Sequence, residues 1–317
     1  MRLLRKSGEE AGLLGQGILI GKRKAQISCP DGVYALRGRL RAAERGRKME
    51  KDGMSVSTVR LTDTNIVRIE KWDCVESTQA LARKYARDGY ADRYIVYSER
   101  QTESPITGTR LRPGESEYGV FISCILRPSI FPAQAGFLGA MSAVALVTAL
   151  EHHTDRRLGI GWVSDLYCEG RKIGGAVTEG KLDSFSAYEY VIVSFAVRLE
   201  KSDFPPRLSD MVNMVFSPEP TTIPMIIAKD ILNKFFSFYI NLRTPSKFMD
   251  IYRQRFVQRD APVLLLSDGR HRRGRVADVD TESGALTVRL PHGRVEQIFN
   301  QKSVILPRRV RIRKSKR

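Results

Sequence analysis

Three short segments of the sequence carry side chains that could do chemistry together. They are Glu76-Ser77-Thr78-Gln79, Gln101-Thr102, and the stretch 161–175, in which Asp165 and Lys172 stand seven residues apart. A lysine supplies a compact positive charge, which suits a reaction between anionic groups. Taken singly, each residue has an ordinary structural explanation, because an aspartate can cap a turn and most strand lysines are solvated. Their combination is what indicates a site.

The elements predicted around these segments would hold them in place. Ser77 or Thr78 is a plausible N-cap of a helix that ends at Gly89. A tight turn at Cys168-Glu169-Gly170 is expected to join two strands within 159–180. Further strands are predicted at 65–72, 93–98, 118–127 and 188–199, and further helices from Pro132 to His153 and twice within 222–258. Residues 100–117 are predicted to form a long polar loop of the kind that often carries function.

Composition narrows the class of protein. The chain has 317 residues, 42% hydrophobic and 28% charged, which is typical of a folded protein and not of a disordered one. No stretch is apolar enough for a membrane helix, and no secretory signal is evident, so a cytoplasmic protein is expected. The four cysteines form no CxxC pair, which predicts free thiols and no zinc site.

The net charge of +18 is concentrated at the two ends of the chain. Residues 1–60 hold 14 basic and 6 acidic residues, and residues 302–317 hold 8 basic residues and no acid. We expect a basic, poorly ordered extension at 1–59 and a basic tail at 307–317. Between them, 60–258 is predicted to be the main α+β domain, which would carry the three segments described above. The short strands after Ala261, separated by turn signals, predict a small β-barrel at 259–306.

In order and spacing, the motifs resemble the biotin protein ligase family of the biotin and lipoate ligase superfamily. That family has Ser-Thr-Asn before its first helix, Gln-Thr before an arginine-glycine loop, and Lys-Trp-Pro-Asn-Asp with a lysine seven residues further on. The matching residues here are Ser77-Thr78-Gln79, Gln101-Thr102, Trp162 with Asp165, and Lys172. The resemblance spans about residues 60–300. It implies an α+β fold, with a mixed sheet and packed helices followed by a small SH3-like β-barrel.

The resemblance also implies a reaction, in which biotin and ATP form biotinyl-adenylate before a lysine of an acceptor protein accepts the biotin. Lys172 would be a catalytic charge near the carboxylate and α-phosphate, and Asp165 would orient it or help to bind Mg²⁺; no resident metal is predicted. The implied biotin-binding residues are Ser77, Thr78, Gln79, Gln101, Trp162, Gly174 and Gly175. The implied nucleotide-binding residues are Arg100, Gly108, Arg110 and Arg112.

The departures from the family pattern fall in the ligand site. The arginine-glycine loop is replaced by residues 103–110, where Glu103 adds negative charge and Pro105 removes a backbone donor. Val163-Ser164 stands for Pro-Asn, and the glycine-rich strand near 193–197 reads Val-Ser-Phe-Ala-Val. Each missing charge-assisted contact is worth about 1.5–3 kcal/mol, so weakened activity is expected.

Several functions therefore stay open. The first is a biotin protein ligase that acts on the biotin carboxyl carrier domain of a carboxylase; a homodimer is an open option and no membrane association is expected. The alternative is a silent relative that binds biotin, another acyl group or a carrier domain without forming the adenylate. A lipoate or octanoate transferase would need a cysteine nucleophile, and Cys168 is instead predicted to be a turn residue aimed away from Lys172. Nucleic-acid binding would rest on charge alone and is not expected.

Overall fold

A computed structural model describes residues 26–29, 32–35, 54–61, 66–104, 109–110, 116–129, 132–199, 223–267 and 270–307. Its α-helices are α1 (Thr78–Arg87), α2 (Pro132–Leu150), α3 (Ile223–Tyr239) and α4 (Ser246–Arg255). The strands of the first half are β1 (Gln26–Cys29), β2 (Gly32–Ala35), β3 (Met54–Arg60), β4 (Ile66–Trp72), β5 (Tyr94–Gln101), β6 (Glu103–Ser104), β7 (Thr109–Arg110) and β8 (Glu117–Leu126). Those that follow are β9 (Leu158–Gly161), β10 (Asp165–Cys168), β11 (Arg171–Leu182), β12 (Tyr188–Arg198), β13 (Pro262–Ser267), β14 (Arg270–Val279), β15 (Leu286–Arg289), β16 (Val295–Ile298) and β17 (Val304–Ile305).

An eight-stranded sheet forms the body, in the order β3-β4-β5-β8-β12-β11-β10-β9. Only β4 and β5 pair in parallel within it, and the other neighbours are antiparallel. The sheet is therefore mixed, and the predicted α+β class is confirmed. Its central strands are almost continuously apolar because helices cover both of their faces.

The two faces of the sheet bury different helices. The helix α2 packs against α3, α4 and the strands β9 to β12, and its resolved side chains from Leu138 to Leu150 are nearly all buried. A helix with no charged residue and an apolar surface all round belongs in a core. On the opposite face α1 packs against β5, β8 and β12 through a smaller apolar cluster.

A buried carboxylate fixes the position of α1. Glu70 of β4 is fully buried, and its Oε1 accepts hydrogen bonds from Tyr85 Oη at 2.7 Å and from Trp72 Nε1 at 2.6 Å. Tyr94 donates to the other oxygen. Burying a carboxylate is costly unless donors satisfy it, so this cluster specifies where Tyr85, and with it α1, can sit. The start of α1 carries Ser77, Thr78 and Gln79.

The terminal strands form a separate antiparallel sheet in the order β16-β15-β14-β13-β17. This arrangement is compatible with the predicted SH3-like barrel. The short strand β17 extends it beyond the strands that turn signals indicated. The barrel contacts the body through Trp162, whose Nε1 donates to the carbonyl of Gly284 at 3.1 Å.

One expectation needs correction at the start of the chain. The predicted extension 1–59 includes β3, which pairs with β4 along its whole length as the edge of the main sheet, so the body begins at Met54. Within 1–53, β1 and β2 form a hairpin, and the remaining residues lie outside the described part.

The state of the cysteines also differs from the expectation. Cys74 is disulfide-bonded, so the expectation of free thiols throughout is wrong, although Cys124 and Cys168 are free and buried.

The loop that was predicted over 100–117 is shorter than expected. The strand β5 runs on to Gln101, and β6 pairs with β7 as a small hairpin. Residues 105–108 and 111–115 lie outside the described part. In the ranges that the structure does describe, no helix is long and apolar enough to cross a membrane.

A buried ion pair joins the strands at the far end of this loop. Glu117 begins β8, Arg198 ends β12, and their side chains pair with 0% and 2% exposure. Burial lowers the pKa of Arg198 to about 10. Gln101 lies opposite Glu117 in register, so the same pair also fixes the end of β5.

We predict that Glu117→Gln lowers the free energy of unfolding by about 3–5 kcal/mol, because it leaves the Arg198 guanidinium buried without its carboxylate. Urea denaturation measures the change. The control is Glu189→Gln, which breaks an exposed pair with Lys181 and should cost less than about 1 kcal/mol. Equal losses in the two variants would contradict the role given to the buried pair.

Candidate functional site

A cleft opens where the start of α1, the end of β5 and the strands β10 to β12 meet. About 440 Å³ of space not filled by protein atoms lies in and over this cleft, and part of it is open solvent. The residues that line it are Ser77, Thr78, Gln79, Gln101, Asp165, Lys172, Gly174, Gly175, Ala176, Val177, Ser194, Phe195 and Ala196. Eight of the nine residues predicted to be catalytic or to bind biotin are among them, so segments far apart in sequence meet at one place. What each residue does there stays a prediction.

One end of the cleft is charged. Lys172 Nζ lies 2.7 Å from Asp165 Oδ1, and the two side chains are 25% and 26% exposed. The hairpin of β10 and β11 produces this contact. Its turn is tight, because Glu169 and Gly170 adopt positive φ angles of 49° and 79°. A register irregularity after Leu166 then sets Lys172 opposite Tyr167, on the same side as Asp165. Because the pair is partly exposed, an incoming anion could displace the Asp165 carboxylate as the partner of Lys172.

The other end of the cleft is neutral and polar. Ser77 is the N-cap of α1, and its Oγ accepts from the backbone N–H of Ala80 at 3.3 Å. Gln101 Oε1 accepts from the N–H of Thr78 at 2.6 Å. Both side chains therefore stabilise the helix start, whose first N–H groups have no partner inside the helix. They hold the cleft in shape even where no ligand is bound.

Gln79 joins α1 to β11 beside the cleft. Its Nε2 donates to Glu179 Oε2 at 3.1 Å, and Arg83 donates to both oxygens of the same carboxylate at 2.8 and 2.7 Å. The hydrogen bond to Glu179 raises the pKa of Arg83. Gln79 is thus part of a bridge between helix and sheet, and sequence reasoning missed its partner Glu179, which is 100 residues away.

The glycines at 174 and 175 line the cleft, but neighbouring backbone already requires them. A Cβ on Gly174 would overlap the carbonyl oxygen of Ala196 on the paired strand. A Cβ on Gly175 would lie 2.7 Å from the carbonyl oxygen of Ser164. Close approach to a ligand is therefore not needed to explain either glycine.

Trp162 is not among the residues that line this cleft. Its side chain is buried, its indole donates to Gly284, and its backbone N–H donates to Gln258 Oε1 at 2.8 Å. These contacts hold the terminal barrel against the body. The structure thus gives Trp162 a packing role outside the cleft lining, and its predicted contact with biotin stays a prediction.

The predicted nucleotide-binding residues are only partly described. Arg100 lies outside the cleft lining, with its guanidinium 5.7 Å from the ring centre of Tyr118 and its Nη1 3.4 Å from Ser116 Oγ. The backbone of Arg110 pairs with Glu103 in the β6–β7 hairpin. Gly108, Arg112 and the side chain of Arg110 fall outside the described residues. The nucleotide end of the site therefore stays a prediction.

Cys168 is poorly suited to nucleophilic catalysis. It is fully buried at the end of β10, opposite Arg171, and is not part of the cleft lining. Burial raises the pKa of its thiol, which disfavours the thiolate that attacks an acyl group. The expectation that this residue is aimed away from Lys172 agrees with its position.

Two serines of the cleft region were not singled out from the sequence. Ser123 of β8 and Ser194 of β12 lie opposite each other in register, with their Oγ atoms 2.8 Å apart. Each serine interrupts a run of apolar residues in a central strand, and this interruption is the sequence feature that could have identified it. The residue facing each serine depends on a strand pairing that the sequence alone does not show.

Known proteins resemble this chain in parts of their sequence and in their fold. No family model matches the chain. Two curated relatives are both named "Bifunctional ligase/repressor BirA". The one from Bacillus subtilis is 28% identical to this chain and the one from Bacillus spizizenii is 27% identical, each over 140 residues. These matches cover 44% of this chain and 43% of each relative, so the chain matches less than half of their length.

Solved structures give the fold. The biotin protein ligase of Aquifex aeolicus in complex with biotin and ATP is 17% identical, with a TM-score of 0.58 over 75% of this chain and 98% of that one. A biotin protein ligase-like protein of unknown function from Silicibacter is 14% identical, with a TM-score of 0.53 over 77% and 96%. The chain has the biotin protein ligase fold and is related in sequence to ligases of this kind.

We predict that Gly174→Ala and Gly175→Ala each lower the stability of the ligand-free protein by about 1–3 kcal/mol, because the new methyl group meets backbone atoms. Thermal unfolding without any ligand measures this. An unchanged melting temperature together with weakened ligand binding would contradict the structural explanation and restore a ligand role for these glycines.

We also predict slow modification of Cys168 in the native protein. At pH 8 a raised pKa leaves less thiolate, so iodoacetamide should label Cys168 more slowly than free cysteine, and unfolding in urea should remove the difference. Peptide mass spectrometry follows the rate at this residue. Equally fast labelling in the native and unfolded states would contradict the buried position.

Proposed function

We propose that this chain acts as a biotin protein ligase, activating biotin with ATP and transferring it to a lysine of a carrier domain of a carboxylase. The observation that carries the proposal is the Lys172–Asp165 pair at the charged end of a cleft whose other end is neutral and polar. A ligand with a carboxylate at one end and a neutral polar ring at the other matches that layout. The fold and the sequence relatives support the same activity.

The proposed reaction has two steps. In the first, a carboxylate oxygen of biotin forms a bond to the α-phosphorus of ATP, and pyrophosphate leaves. In the second, the amine of the acceptor lysine forms an amide with the biotinyl carbonyl carbon, and AMP leaves. Both steps concentrate negative charge, and Lys172 would stabilise it at the place where carboxylate and α-phosphate meet.

Lys172 and Asp165 would have separate tasks. The carboxylate holds the ammonium group 2.7 Å away, so the position of the charge is set by the protein itself. When the biotin carboxylate and the α-phosphate bind, the Lys172 ammonium group would donate some of its hydrogen bonds to them. Asp165 would then be a positioning residue, able also to face a cation that accompanies the nucleotide.

A metal ion, if needed, would come with the nucleotide. In the described part of the chain, no group of three or more His, Cys, Asp or Glu side chains could hold a metal ion. Among the described residues that line the cleft, Asp165 is the single carboxylate, and it already pairs with Lys172. We therefore assign Mg²⁺ no step of its own in the proposal.

A reduced rate is part of the proposal. Residues 103–110 replace the arginine-glycine loop of the resembling family, with Pro105 at an arginine position and with Glu103 adding negative charge beside it. Fewer charge-assisted contacts to the phosphates would slow adenylate formation more than they weaken biotin binding. The alternative stays a relative that binds biotin, another acyl group or a carrier domain without making the adenylate. We place either activity in the cytoplasm, and the homodimer stays a prediction.

The test is exchange of labelled pyrophosphate into ATP by the purified chain. We expect exchange only when biotin is present. Lys172→Ala should reduce it about 10- to 150-fold, because a charged hydrogen bond contributes about 1.5–3 kcal/mol. The matched control is Lys71→Ala, which breaks an ion pair of similar geometry with Glu99 outside the cleft and should leave exchange unchanged.

Other results would change the conclusion. A biotin-dependent rise in melting temperature without exchange would identify the binding-only alternative. Exchange that survives Lys172→Ala would remove the residue from the reaction. Loss of activity in Cys168→Ala at unchanged stability would instead favour an acyl-thioester route.

A further inference from the structure

One face of the terminal barrel carries three exposed arginines. Side chains along β14 alternate between the two faces of the sheet, so Arg273 and Arg275 share one face while Val276 is buried on the other. Arg289 of β15 lies opposite Arg275 in register and therefore points to the same side. All three arginines are exposed, and we call them the arginine face.

The fold balances the charge of the arginine on the opposite face but not the charge of these three. Arg272 donates to both carboxylate oxygens of Glu296, at 2.7 and 2.8 Å. Within the described part of the chain, Arg273 and Arg289 form no such ion pair, and Arg275 donates to a backbone carbonyl at 2.8 Å. Like charges directly opposite each other in neighbouring strands repel. An anion bound between Arg275 and Arg289 would relieve that repulsion.

Two further arginines of the body lie beside this face, but carboxylates balance them. Asp278, further along β14 and on the same side by its register, accepts hydrogen bonds from Arg253 Nε at 2.9 Å and from Arg259 Nε at 3.1 Å. Asp250 lines the same groove. The unbalanced charge is therefore that of the arginine face itself.

The chain leaves the barrel next to the arginine face. The strand β17 pairs with β13, and β13 pairs with β14, so Ile305 lies two strand spacings, about 10 Å, from Arg273. From residue 308 to residue 317 the sequence holds seven basic residues and no acidic one. A strongly basic segment thus begins a few residues beyond the edge of this face.

The residue types of this face favour phosphate groups over other anions. A guanidinium forms two parallel hydrogen bonds with a phosphate, and every basic residue of the arginine face is an arginine. No Phe, Tyr or Trp is among the residues that the strand register places on this side, so unpaired bases would find no ring to stack on. A duplex presents its phosphates outward and keeps its bases stacked inside, which fits such a surface.

We propose that the arginine face and the basic segment 308–317 together bind the phosphate backbone of double-stranded nucleic acid without reading its sequence. Composition alone shows only that the chain is basic. The added observation is that three unbalanced arginines share one side of the barrel, beside the place where the basic segment begins. A long polyanion can engage both at once, whereas a single phosphate group cannot. This surface is not part of the cleft lining, so the inference does not rest on the proposed function.

The experiment is a fluorescence anisotropy titration of a labelled DNA duplex of about 20 base pairs with the full chain, at several salt concentrations. We expect the affinity to fall steeply with salt and to be the same for two duplexes of unrelated sequence. A variant with Arg273→Gln, Arg275→Gln and Arg289→Gln should bind about tenfold or more weakly. The slope of log affinity against log salt should fall by about 2–3, because each phosphate contact contributes about 0.9 to it.

A matched variant separates this face from the net charge of the protein. Arg87→Gln, Arg157→Gln and Arg243→Gln together remove the same charge from exposed positions elsewhere, and this variant should bind within about twofold of the wild type. A chain that ends at Pro307 should also lose affinity, because it lacks the basic segment. Melting temperatures verify that each variant is folded.

Several results would overturn the proposal. Absence of duplex binding by the wild-type chain would do so directly. Unchanged affinity in the variant of the arginine face would show that the face takes no part, and equal losses in the matched variant would show that net charge alone is responsible. Polyglutamate or vesicles of anionic phospholipid that bind more tightly than the duplex would contradict the choice of partner, and so would tighter binding of single-stranded DNA.

Discussion

The contact between the Lys172 ammonium group and the Asp165 carboxylate is what the account of the site depends on. A lysine on a strand is free to point into solvent, and a charge in a cleft is useful only when its position is set in advance. The tight hairpin between β10 and β11 sets that position, because its turn and register irregularity bring two side chains seven residues apart to one side of the sheet.

The rest of the cleft is built from parts that stabilise the protein by themselves. The N-cap of α1, the Glu179 bridge and the two glycines that let β11 lie close to Ala196 and Ser164 all have structural reasons. A site of this kind is held open by the fold and does not need a ligand to form. In the proposed function, an acid that enters the cleft would meet a charged end and a polar end whose positions the fold has already set.

Local signals explain what could be predicted from the sequence. Ser77 caps α1 and the turn at Glu169-Gly170 forms as expected, since each depends on neighbouring residues only. The hydrogen bond from the Trp162 indole to Gly284, 122 residues away, could not be predicted, because it depends on how the terminal barrel meets the body. The pairing of Ser123 with Ser194 and the edge strand β3, polar along much of its length, likewise depend on long-range contacts that no local pattern encodes.

A crystal structure of the chain with biotin bound tests the central claim most directly. The account predicts the carboxylate of biotin within about 3.5 Å of Lys172 Nζ, which is hydrogen-bond distance or close to it. Biotin bound elsewhere on the protein, or a cleft that stays empty at saturating biotin with Lys172 still paired to Asp165, would contradict it.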